Sequence, residues 1–337
     1  MKKIFLLGCI LSVSIFSKAG LLTVSNNSGF PAQYTTIAAA ITAATAGDTI
    51  YVYATGIYYG EVNTLTKKLI IFGGGSQTNG GCWTDRINCN PGSDGSVISG
   101  FGFSANANCS ANNVAYTDCQ FNSNGGCFTF NGNNGLLENN IFYIGLCLNT
   151  YGLSNIVIRN NIFYSGFGGL PGITGTVSNN VFSSATAGDG TFWFLQNGET
   201  MGNGLTISNN IFYKKSPLHG VVSQCNFINN IYYQTNGNAP PVNAGSYGNI
   251  EADPLFENYP AGGTSSYDLA HSYKILAASP GHNYGTDGTD VGVWGGQNPM
   301  NVPFYAPLPR VYQITAVNNT VPQGGQLQLT IKATKAH

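Results

Sequence analysis

Charge is what this chain has least of. Only 8% of its 337 residues are Asp, Glu, Lys or Arg, against about a quarter in an ordinary globular domain. Thirteen basic residues balance fourteen acidic ones and no basic cluster occurs, which argues against nucleic acid as a partner. The Glu, Lys and Leu that exposed helices prefer are sparse, so helix bundles are a poor expectation. No stretch holds 18 uninterrupted apolar residues, so no membrane-spanning helix is predicted. Disorder is also disfavoured, because a 42% hydrophobic content that includes 12% aromatics is ample for a core.

What fills the space is glycine, 45 residues of it, together with Asn, Ser and Thr. Such a composition suits stacked strands joined by tight corners. Five times an Asn-Asn pair is followed by an apolar residue and an aromatic: Asn139-Asn140-Ile141-Phe142, Asn160-Asn161-Ile162-Phe163, Asn179-Asn180-Val181-Phe182, Asn209-Asn210-Ile211-Phe212 and Asn229-Asn230-Ile231-Tyr232. The steps between them are 21, 19, 30 and 20 residues, the length of one solenoid coil rather than of a domain. An apolar residue precedes each pair by two places, at Leu137, Ile158, Val177, Ile207 and Phe227. Each unit therefore reads as strand, Asn corner, strand, with every second side chain turned inward. Asn tolerates the left-handed conformation at a corner, and its amide can bond the same amide one coil above and below. Asn140, Asn161, Asn180, Asn210 and Asn230 are accordingly assigned a structural role, and Cys119 falls in the same slot one coil earlier.

Residues 1–19 read as a secretory signal. Lys2 and Lys3 give the positive start, Ile4 to Phe16 the apolar run, and Ser17 and Ala19 the small residues of a cleavage site near Ala19. Leu6-Leu7-Gly8-Cys9 resembles a lipoprotein box but leaves almost no apolar run before the cysteine. The chain is expected to be secreted or held at the cell surface. From Gly20 onward ten basic residues remain (thirteen less Lys2, Lys3 and Lys18) against fourteen acidic, a charge near −4. Seven cysteines also remain, an odd number, and export permits disulfides. A Cys82–Cys89 bridge would close a Gly-rich side loop over residues 73–97. Cys127 and Cys147, 20 residues apart, would stack on adjacent coils within disulfide reach.

Before the repeats, Ile37, Ala40, Ile41 and Ala44 share one helical face, with Thr35 or Thr36 as N-cap and Gly47 as the stop. A short helix here would cover the open end of a solenoid. The run from Thr36-Ile37 through Ala40-Ile41 and Ala44 to Gly47-Asp48-Thr49-Ile50-Tyr51-Val52 resembles the opening of secreted right-handed parallel β-helix proteins of the pectate-lyase-like superfamily. Asn249-Ile250 to Asp253-Pro254-Leu255-Phe256, and Ser279-Pro280 leading to Gly285-Thr286-Asp287-Gly288-Thr289-Asp290-Val291-Gly292, are similar to their closing coils. The resemblance implies an all-β fold over roughly residues 34–296, and leaves activity open because that fold hosts lyases, hydrolases, epimerases and non-catalytic surface proteins. The expected organisation is a signal peptide (1–19), a parallel β-helix (20–296), a Pro-rich linker (297–310) and a C-terminal β-hairpin (311–337), with strands at Val311–Val317 and Gln326–Thr334. A lone hairpin is marginal in water, so it must lie against the solenoid or add to another sheet.

Few residues offer chemistry. A lyase would need an acidic cluster for calcium and a base, and Asp118 and Glu138, 20 apart, are the carboxylates placed to stack on successive coils. A hydrolase would pair Asp189 with Glu199 as acid and base beside Trp193 and Phe194, which could stack on a sugar. Pectin-cleaving hydrolases of this fold use adjacent aspartates and a Gly-His-Gly-type motif, whereas this chain has only Leu218-His219-Gly220. Asp287 and Asp290 are candidate calcium ligands, equally explained as Asx turns. Tyr143, Tyr164, Tyr213 and Tyr233 would form an aromatic stripe if they face outward, suited to an extended glycan or a partner's apolar surface, or else would pack laterally. The expected function is a non-catalytic exported surface protein that binds a glycan or docks on an envelope protein partner. A polysaccharide lyase or glycoside hydrolase and a structural spacer are the alternatives.

Overall fold

A computed structural model of the chain describes residues 19–76, 80–122, 126–169, 172–190, 204–217, 225–242, 245–260, 262–264, 266–268, 270–300, 310–316 and 329–334. Within them the chain is a parallel β-solenoid with three faces. Ten parallel strands make the first: Leu21–Val24, Thr49–Val52, Ile70–Gly73, Val97–Ser99, Ala115–Thr117, Leu136–Glu138, Ile156–Arg159, Thr174–Ser178, Gly204–Ser208 and Asn226–Ile228. Nine short strands make the second, from Trp83–Thr84 through Gly102–Phe103, Gln120–Phe121, Ile141–Phe142, Ile162–Phe163, Val181–Ser183, Ile211–Tyr213 and Ile231–Tyr233 to Ile250–Glu251. Six make the third: Val62–Leu65, Ile87–Cys89, Asn108–Cys109, Cys127–Phe130, Gly145–Leu148 and Phe167–Gly169.

Each Asn doublet is the corner between the first and second faces, and its two members do different work. The first takes the left-handed conformation, with φ of 55° at Asn139, Asn160 and Asn179, 58° at Asn209 and 50° at Asn229. Asp118 holds the same place one coil earlier (φ 53°), and Gly100 and Gly248, at φ 76° and 65°, extend the column at either end. Only residues that bear positive φ cheaply fit there.

The second Asn is fully buried and forms the ladder. Asn161 Oδ1 accepts from the Asn140 backbone N–H at 2.8 Å and from its Nδ2 at 3.0 Å, while Asn161 Nδ2 donates to Leu137 O at 2.8 Å and to Asn180 Oδ1 at 3.0 Å. The pattern repeats through Asn180, Asn210 and Asn230 to Asn249. Buried amides are thus satisfied at both oxygen and nitrogen, the condition for a polar column to stabilise rather than penalise an interior. Cys119 occupies the slot and donates its backbone N–H to Asn140 Oδ1 at 2.9 Å.

Inward alternation on the second face stacks Phe103, Phe121, Phe142, Phe163, Phe182 and Phe212, with successive ring centroids 5.1, 4.7, 4.6, 4.9 and 4.9 Å apart. Each pair is worth about 0.5–1.5 kcal/mol beyond its buried area. Opposite, Ile50, Ile71, Ile98, Tyr116, Leu137, Ile158, Val177, Ile207 and Phe227 line the lumen from the first face. The helix Ile37–Ala43 buries Ile37, Ala40 and Ile41 against the first coil, and Thr36 Oγ1 caps Ala39 N at 3.2 Å. It stops at Ala44, short of Gly47.

Two expectations are corrected. Residues 73–97 are no side loop, since Trp83–Thr84 and Ile87–Cys89 belong to the second and third faces of a regular coil. Cys82 and Cys89 consequently do not bridge: Cys82 Sγ points to Val52 O at 3.8 Å, and Cys89 lies opposite Cys109. Cys127 and Cys147 do form a disulfide, with Cα atoms 5.9 Å apart. The hairpin pairs Arg310–Ala316 with Leu329–Thr334 in antiparallel register. Among the described residues no helix is long and apolar enough to cross a membrane.

Replacing Asn180 by Ala should strand the backbone N–H of Asn161 and the carbonyl of Ile158 in the interior. The expected loss is about 2–4 kcal/mol in urea unfolding, from several buried bonds at roughly 1 kcal/mol each plus the cost of leaving partners unmade. A change within ±0.5 kcal/mol would show that the ladder is not a stabilising element.

Candidate functional site

The first-face strands end, coil by coil, in polar residues held in register: Arg159 opposite Ser178, and Ser178 opposite Ser208. Immediately beyond them stand the left-handed Asn160, Asn179 and Asn209. Their side chains point away from the lumen and tether a closing segment, residues 284–298, that runs back along the corner. Asn229 Nδ2 donates to Tyr284 O at 2.9 Å, and Asn209 exchanges two bonds with Thr286. Asn179 reaches Asp290 O at 3.4 Å, and Asn160 donates to Val293 O and Gly295 O at 3.0 and 2.9 Å. Asn298 then donates to Glu138 Oε1 at 2.9 Å.

Between the strand ends and this segment lies a polar cleft of about 250 Å³. It is lined by Arg159, Ser178, Ser208, the three tethering asparagines, Thr286, Asp287, Gly296 and Gln297. Arg159 Nε is fixed on Glu138 Oε1 at 2.5 Å, which orients the guanidinium. The lining combines one guanidinium, one carboxylate, hydroxyls and amides, a set able to hydrogen-bond a polyhydroxylated ligand. Sequence reasoning missed Ser178, Ser208, Thr286 and Gln297, because only the fold brings the closing segment over the corner.

The residues singled out beforehand are distributed differently. Asp287 is at the cleft, but its Oδ1 accepts from Thr289 N and Oγ1 at 3.2 and 2.7 Å. Asp290 Oδ1 accepts from Asn283 N at 2.9 Å and faces His282 Nδ1 at 2.8 Å. Both are turn-forming carboxylates. Among the described residues no three or more His, Cys, Asp or Glu gather to hold a metal. Asp189 pairs with the buried Lys215 at 2.5 Å, on a two-stranded parallel ribbon of Asp189–Gly190 with Lys215–Ser216. Its expected partner Glu199, the aromatic residues Trp193 and Phe194, and His219 lie outside the described residues.

The tyrosine column is covered by the chain itself. Tyr164 and Tyr213 are buried, Tyr143 and Tyr233 half-buried, in a cluster with Phe256, Tyr259, Tyr267 and Tyr273. Tyr164 meets Tyr273 hydroxyl to hydroxyl, the Tyr267 backbone N–H donates to Tyr143 Oη at 3.1 Å, and Tyr213 packs on Phe256 and Tyr259. Lateral packing claims these rings, supplied by Phe256, Tyr259, Tyr267 and Tyr273.

Asp118 and Glu138 do not share a row. Asp118 sits in the left-handed column beside Asn139, whereas Glu138 ends a strand opposite Thr117 and Arg159. Burial, with the neighbouring Glu138 charge adding to it, pushes the Asp118 carboxyl up to about 7. The folded state therefore holds a proton that the unfolded chain releases near pH 4. Stability from this group is present below the unfolded pKa and is lost as pH rises toward 7. Asp118→Asn should flatten that slope and raise the urea midpoint at pH 7.5, the amide also suiting φ 53°. A variant no more stable than the parent at pH 7.5 would count against it.

No family model matches the chain, and no curated protein matches it.

Proposed function

We propose that this chain is an exported, non-catalytic β-helix surface protein that binds a glycan along the corner between its first and second faces. The pectate-lyase-like superfamily is the membership its terminal motifs suggest. The observation that carries the reading is the polar cleft of Arg159, Ser178, Ser208, Thr286 and Asp287. Rigid coils space its donors by about 4.8 Å per coil, a pitch suited to an extended polymer.

A second feature supports it. Trp83 stands in the same outer row as Gly102, Gln120, Ile141 and Ile162, and so lies about 19 Å, four coils, along the same edge. Its ring stacks with Tyr58 at 6.3 Å, and Tyr58 is 51% exposed. An aromatic platform and a hydrogen-bonding cleft on one edge are the two elements sugar recognition needs. The ion pair of Asp189 with the buried Lys215 favours a structural role for that carboxylate.

Docking on an envelope protein through the hairpin is the second reading, since a two-stranded sheet is marginal alone. Turnover of a polysaccharide is the enzymatic alternative.

Glycan-array binding by the purified chain decides among these. Arg159→Ala should weaken retention at least tenfold without shifting the unfolding midpoint by more than a few degrees. Retention unchanged in both Arg159→Ala and Tyr58→Ala would overturn the corner site. Product release from any glycan, with or without calcium, would replace binding by catalysis, and loss of cell attachment on deleting residues 310–337 would favour docking.

A further inference from the structure

Cys89 and Cys109 stand directly opposite each other on consecutive strands of the third face. Parallel neighbours are about 4.8 Å apart, within the roughly 4.4–6.8 Å Cα separation that a disulfide spans. Both side chains enter the lumen, where they are 1% and 0% exposed. They are close enough to share a hydrogen bond, which lowers the Cys89 thiol and raises that of Cys109. The Tyr116 hydroxyl, donating to Ile87 O at 2.9 Å, also lies 3.3 Å from Cys89 Sγ.

The nearby Cys127–Cys147 bridge makes a useful contrast. It joins positions offset along the strands, since Cys127 pairs with Gly145 and Cys147 with Thr129. The Cys89 and Cys109 pair is in register and needs no such offset.

We propose that Cys89 and Cys109 form a second cross-coil disulfide, inside the lumen, when the chain folds in an oxidising medium. The oxidant is a small or protein-borne disulfide. The thiolate of one cysteine attacks it, expelling one thiol and leaving a mixed disulfide. The second thiolate then attacks the chain sulfur of that mixed disulfide and expels the other thiol. Two protons and two electrons leave the pair, and the oxidant is reduced to two thiols. Because the finished lumen buries both sulfurs, the bond forms while the coils are still assembling. One bridge then ties two coils from inside, and the other ties the next two from outside.

The test uses the full chain and does not depend on where a cell places it. Reduced, unfolded chain is refolded in a glutathione redox buffer, quenched with acid, alkylated in denaturant without reductant and mapped by peptide mass. The expected product contains linked Cys89–Cys109 and Cys127–Cys147 peptides, with Cys82, Cys119 and Cys225 alkylated. Alkylation of both Cys89 and Cys109 in folded material, or a link from either to another cysteine, would overturn the proposal. A second reading compares unfolding midpoints with and without reductant. Wild type should lose more on reduction than the Cys89→Ser/Cys109→Ser variant, which retains only the outer bridge, whereas equal losses would refute an inner one.

Discussion

A buried polar column is tolerable only when none of its members lacks a partner, and this requirement governs the whole solenoid. Each ladder amide accepts from the coil before it and donates to both neighbours, so every coil supplies what the next must have. Register follows directly. Sliding one strand by a residue would take its amide out of the column and turn its phenylalanine outward. The aromatic stack on one side of the corner and the aliphatic rows on the other fill the space that this register creates.

The left-handed column is a consequence of the same corner, and it gives the protein its second layer. Residues that must adopt positive φ project short amides outward, and the closing segment uses those amides as a rail. The outer row of Ile141, Ile162, Val181, Ile211 and Ile231, together with the tyrosines behind it, gains an apolar cover of Phe256, Tyr273, Ile275, Val291 and Val293. The cleft arises where that cover rides over the polar strand ends. It is thus a by-product of two packed layers.

Much of this was readable from residues alone. The doublets announced the corner because both of their positions are chemically demanding, one by backbone conformation and the other by hydrogen bonding. The capping helix was legible through Thr36 and the spacing of Ile37, Ala40 and Ile41. What escaped notice had no periodic signal. Trp83–Thr84 and Ile87–Cys89 sit among glycines and polar residues that look like a loop, yet the first pairs with the following coil and the second with coils on either side, which makes them strands. A shorter exposed column at another corner, Asn113, Asn134 and Asn155, was also overlooked because no aromatic follows it. The tyrosines were ambiguous for another reason: alternation says that a side chain leaves the lumen, not what waits outside. The cleft depends on contacts between residues more than 70 positions apart, such as Asn209 with Thr286.

The 30-residue step between Asn179 and Asn209 interrupts nothing in the columns, for Val181 still pairs with Ile211 and Phe182 with Phe212. The step is about ten residues longer than its neighbours, yet the flanking strands keep their register, and added chain costs entropy that grows only logarithmically with length. The architecture therefore separates what must be conserved in spacing from what is at liberty to vary. A lineage of such chains could try out new outer loops at that junction, long or short, while the column beneath keeps its beat.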